Sequence, residues 1–184
     1  QMCIRDSNYR KLYGYTKDND PLMQYITNLT LHEVGHVLGL RHNFRGSYLY
    51  SPDEIHDKNI TGNVLMSSVM DYDPINIAPE GVEQGIYFST EPGVYDKWAV
   101  KFGYTPNLTD EERTALLQQS VKRELTFGTD DDAMSYPGNN IDPRTKRYDM
   151  SNDPIGYAED IVKIVDQKIN ELPEIFSDEE GFNN

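Results

Sequence analysis

"HEVGHVLGLRHN", His32 to Asn43, decides how this chain is read. Three of the four histidines of the 184-residue sequence fall inside it. On a helix, His32 and His36 stand four positions apart, on one face and one turn from each other, so both imidazoles can grip a single ion. Glu33 is rotated by about a quarter turn from His32, close enough to reach a water on that ion without ligating it. Gly39 can take the left-handed conformation that stops a helix. His42 lies six positions past His36, the wrong side of a straight helix, but a turn at Gly39 can bring it to the same ion. A chance match to the full spacing HExxHxxGxxH in such a chain is on the order of one in a hundred thousand.

Three neutral imidazoles with an open fourth position make a catalytic rather than a structural metal site, and zinc is the natural occupant. The ion lowers the pKa of its water to roughly 7. Glu33 can take the proton from that water and pass it to a leaving amine. The residues therefore point to metal-assisted hydrolysis of an amide.

Outward from the motif, Asp20 and Pro21 open a helix, and the pattern runs from 21 to 39. Leu22, Ile26 and Leu29 share one face, and Leu31, Val34 and Leu38 another, which predicts a buried helix. Ser51 with Glu54 forms a capping box and predicts a short helix reaching about Lys58. Residues 64–75 are turn-rich. A helix is expected over 93–102, another from the Thr109–Glu112 capping box to Leu125, a long loop through 128–152, and a last helix from Pro154 to Pro173. The only strand candidates are "GIYFST" (85–90) and "ELTFG" (124–128). Tyr95, Trp98 and Phe102 fall at helical spacing and read as packing beneath the metal site.

Composition bounds the rest. The net charge of −14 disfavours a nucleic-acid partner. No run of 18 apolar residues offers a membrane span. The single cysteine, Cys3, excludes an internal disulfide or a thiolate zinc site. Residues 1–7, "QMCIRDS", resemble translated adapter sequence, read as non-native, and place the true start further upstream. His56 reads as a surface residue. Asp130, Asp131 and Asp132 read as a solvated loop, with calcium possible but unsupported. The glycosylation-like triplets at Asn28, Asn59 and Asn107 read as noise.

With the extended zinc motif in place, the sequence resembles the metzincins, zinc proteases marked by this motif and a later "Met-turn". "SSVMDYDP" supplies Met70, which the resemblance casts as a hydrophobic floor under the imidazoles. Tyr72 stands where astacin-like and serralysin-like members carry a tyrosine that steadies the oxyanion. Asn43, where adamalysin-like members have aspartate, argues against that branch. "HEVGHVLGLRHNF", "SVMDYDPIN", "YDKWAVKFGY" and "DPRTKRYDMSNDPIGYAED" together resemble large bacterial exported zinc proteases of the "met-zincin" type, over roughly residues 20 to 165.

The resemblance implies an α-rich α+β fold: the C-terminal part of a zincin-like (metzincin) catalytic domain over 8–184, with most of the N-terminal sheet missing. It implies a zinc endopeptidase acting on a polypeptide: His32, His36 and His42 as ligands, Glu33 and Tyr72 catalytic, Gly39 and Met70 structural. It also implies a secreted, periplasmic or cell-surface location. The alternative is a non-catalytic zinc-binding fragment or pseudoprotease that acts through a protein partner. Substrate sequence and oligomeric state are not legible.

Overall fold

The computed structural model describes residues 19–133 and 142–175; the reading of residues 1–7 lies outside them. Among these residues six α-helices follow in order: α1 (Pro21–Val37), α2 (Lys58–Thr61), α3 (Val94–Tyr104), α4 (Asp110–Leu117), α5 (Asp130–Ala133) and α6 (Pro154–Ile175), with short 3-10 turns between some of them. The helical character expected from the sequence is present. There is no strand among the described residues, so the β component of the expected α+β class is not seen there.

The two strand candidates fail for a physical reason. A strand needs a neighbouring backbone to satisfy its own. In 85–90 side chains do much of that work, beside two isolated backbone bonds, Asn76 N to the Tyr87 carbonyl and Thr90 N to that of Asn63. Tyr87 N and Phe88 N donate to Gln24 Oε1 at 2.7 and 3.1 Å. Asn28 Nδ2 donates to the Ser89 carbonyl at 3.2 Å, and Asn76 Nδ2 to that of Ile86 at 3.0 Å. Residues 123–125 are instead a 3-10 turn.

The helix at 110–117 also ends earlier than expected. Leu116 and Leu125 are both buried, and the segments carrying them both pack on α3. Nine residues of continuous helix rotate by about 900°, which would put the two leucines on opposite faces. The chain breaks at Lys122, whose backbone is extended (φ −67°, ψ 143°), and both leucines turn inward. Both expected capping boxes form, Ser51 with Glu54 and Thr109 with Glu112. The first is followed only by a 3-10 turn, Glu54–His56, and then by α2. At the other end α6 runs two residues past Pro173, which stands in its last turn.

The core gathers Ile55, Leu65, Met66, Ile86, Met150 and Tyr157, directly before and beside the stretch that leads into Met70. α1 is not the buried helix its pattern predicts. Leu22 is 53% exposed, Ile26 47% and Val37 85%. The face it does bury is polar and small, Asn28, His32 and Gly35. That face is chosen by hydrogen bonds and by close approach rather than by apolar area.

Candidate metal centre

Asp20 caps α1, its side chain accepting from Leu22 N at 2.9 Å. At the other end Gly39 N donates to the His36 carbonyl at 2.9 Å and Leu40 N to that of Gly35 at 3.0 Å. These are the paired bonds of a Schellman turn, with Gly39 at φ +83°. The chain reverses there, and His42 returns to the face that carries His32 and His36. Ligand nitrogens of all three lie within 4.8 Å of one another.

Each Nδ1 faces an acceptor. His32 Nδ1 is 2.7 Å from the Val69 carbonyl. His36 Nδ1 is 3.0 Å from that of Leu40. His42 Nδ1 lies 3.1 and 3.0 Å from the two carboxylate oxygens of Asp130. A neutral imidazole whose proton is held at Nδ1 presents a lone pair at Nε2. His36 Nε2 and His42 Nε2 stand 3.2 Å apart, and two nitrogens on one tetrahedral zinc lie about 3.3 Å apart. Lone pairs so placed repel one another unless a cation stands between them, so the donor set fits a zinc ion. Burial pushes the His32 imidazole below its ordinary pKa, outweighing the support of the Val69 carbonyl, and the charges of His36 and His42 push the same way. The ring is thereby kept neutral and fit to ligate.

Glu33 stands exposed beside His32, near enough for its charge to act on both His32 and Tyr72. The Tyr72 hydroxyl is 2.9 Å from His42 Nε2. Burial, and then the charge of Asp130, raise its pKa, so it stays a hydrogen-bond donor. Met70 is fully buried and lies under α1: a β-carbon added at Gly35 would come within 2.2 Å of its sulfur. Only the absence of a side chain at 35 lets the helix and the methionine approach this closely. The residues singled out by spacing and those singled out by resemblance therefore lie together.

Two residues that spacing could not reveal complete the surroundings. Asp130 sits at His42 Nδ1. Asp96, 3% exposed, accepts from Ser68 Oγ at 2.6 Å and from Val69 N and Gly93 N at 2.8 Å each. It thus anchors Val69, the residue whose carbonyl meets His32. The aromatic stripe of α3 packs elsewhere than expected. Trp98 Nε1 donates to the Leu116 carbonyl at 3.0 Å, and Tyr95 stacks on Phe127, so α4 and the 125–127 segment receive it.

Two further expectations are corrected, for His56 and for the 130–132 run, while the noise reading of the Asn28 triplet agrees with its burial. His56 is partly buried, its Nδ1 enclosed without a partner, and takes no part in the metal site. The 130–132 run is a helical turn rather than a solvated loop. Its carboxylates serve His42, Arg41 and Thr129 N, three different protein partners, which gives the calcium reading no support. Asn28 is buried and bonded to Asp73 and Ser89.

The aspartates on either side of Tyr72 give the fold a dependence on pH. Burial raises Asp73 to about 7 and Asp71 well above its usual value. A carboxyl whose pKa is higher in the fold than in the open chain contributes stability below about pH 4, and that contribution is lost as pH rises through about 7. His32, with its lowered pKa, acts in the opposite sense and destabilises the fold as pH falls through its range. Comparison of melting temperatures isolates Asp73. Asp73→Asn is expected to gain steadily on the parent chain between about pH 4 and about 7 in chelator, and a constant difference would contradict it.

A family model described as Met-zincin matches residues 15–183. Comparison with curated proteins and with solved structures gives no match. The match spans nearly all of the sequence, including the convergent histidines and the turn at Met70, and the chain belongs to the Met-zincin family.

Proposed function

We propose that this chain carries the zinc site of an endopeptidase, with His32, His36 and His42 as ligands. The observation that carries the reading is the convergence of the three histidines, with His36 Nε2 and His42 Nε2 3.2 Å apart and each Nδ1 facing an acceptor behind them. When bound, zinc supplies Lewis acidity that polarises the scissile carbonyl and acidifies water. Glu33 takes the proton of the attacking water and returns it to the departing amine. The Tyr72 hydroxyl, within reach of the same point, donates to the oxyanion. Met70 is the apolar floor. The family, together with an exposed acid and a phenol beside the histidines, supports catalysis over a purely structural zinc site. No helix among the described residues is long and apolar enough to cross a membrane. An extracellular, periplasmic or surface location rests on resemblance alone.

The test is cleavage of casein at neutral pH by this chain and by one extended upstream. Chelation is expected to remove cleavage and stoichiometric zinc to restore it. Cleavage that survives complete zinc removal would overturn the assignment, and so would a zinc-loaded, extended chain that cleaves nothing.

A further inference from the structure

We propose that Asp130 is a positioning residue for the metal centre: its carboxylate fixes the tautomer and the aim of His42. The inference rests on the metal-binding reading and not on proteolysis.

His42 is the ligand with no helix to hold it. His32 and His36 ride on α1, and each is oriented by a backbone carbonyl. His42 lies beyond Gly39, and its Nδ1 meets both oxygens of Asp130, 88 positions downstream, at 3.1 and 3.0 Å. The two segments are stitched together by further hydrogen bonds as well. Asn43 Nδ2 donates to the Thr126 carbonyl at 3.1 Å, Gly128 N to Asn43 Oδ1 at 3.1 Å, and Phe44 N to the Gly128 carbonyl at 2.7 Å. Thr129 N donates to Asp132 Oδ2 at 3.0 Å and fixes the start of α5, where Asp130 stands. The carboxylate is therefore delivered to His42 by a braced element.

An acceptor at Nδ1 keeps the ring proton there and leaves the Nε2 lone pair for the ion. A charged acceptor also makes the imidazole a stronger donor and offsets the charge of the cation. Among the three histidines only His42 is given a carboxylate. The ligand least constrained by secondary structure receives the strongest partner.

The experiment uses the full chain with three substitutions: Asp130→Ala, Asp130→Asn, and Arg41→Ala, which removes only an exposed ion pair to Asp131 between the same segments. Zinc affinity is read by chelator competition, and the His42 tautomer by nitrogen NMR of the metal-free protein. Asp130→Ala is expected to weaken zinc roughly 10- to 100-fold and to abolish the Nδ1–H preference of His42. Asp130→Asn keeps an acceptor and is expected to retain the tautomer and lose less affinity. Arg41→Ala is expected to change neither. Zinc affinity of Asp130→Ala within about twofold of the parent would overturn the proposal, as would an equal loss in Arg41→Ala. Should the parent chain take up no zinc, the metal reading falls, and the tautomer in the metal-free protein still decides whether Asp130 governs His42.

Discussion

Glu33→Ala is expected to lose cleavage by about three to four orders of magnitude, the upper range for removal of a general acid–base group, while zinc stoichiometry stays at that of the parent. The side chain stands in solvent on α1, apart from the buried face of the helix. Its removal leaves the turn at Gly39 and all three imidazoles in place. Exposed helical positions of this kind change stability by no more than about 0.5 kcal/mol. Loss of rate with retention of metal and fold is thus the signature of a chemical role. Casein cleavage and zinc content measured on the same preparation decide it. A variant that still cuts within tenfold of the parent would remove Glu33 from the reaction.

Asp96→Ala is expected to destabilise the fold by about 3–5 kcal/mol, since it strands buried donors that each cost roughly 1–3 kcal/mol when unpaired. The donors are Ser68 Oγ, Val69 N and Gly93 N, all buried. Burial raises the Asp96 carboxyl, and those bonds pull it part of the way back. Asp96→Asn separates charge from geometry. An amide can present its oxygen to Val69 N and Gly93 N and its NH₂ to Ser68 Oγ, so it should recover most of the loss. Urea unfolding in the presence of chelator measures both. An alanine variant within about 1 kcal/mol of the parent would mean that the Met70 turn holds itself without Asp96.

What the sequence made legible is what a helix dictates locally. His32, Glu33, His36 and Gly39 are related by helical geometry alone, and the geometry is found as expected. Met70 and Tyr72 became candidates by resemblance, and they lie against that helix and His42. Asp130 and Asp96 were not legible. Their partners lie 88 and 27–28 positions away, and no periodicity relates an acid to an acceptor site made by a distant loop. The strand readings of 85–90 failed because Gln24, Asn28 and Asn76 replace the neighbouring strand. The burial of α1 was misjudged because apolar spacing cannot show that Asn28, His32 and Gly35 hold the inward face.

Replacement at Gly39 is governed by handedness. A β-carbon added there meets nothing within 4 Å, yet φ is +83°. Bulk is therefore irrelevant at this position and chirality is what it selects. Asparagine, the L-residue most at ease in that conformation, should be the mildest replacement, and valine or isoleucine the harshest. A mirror-image alanine introduced by chemical ligation should sit there with less strain than its natural enantiomer.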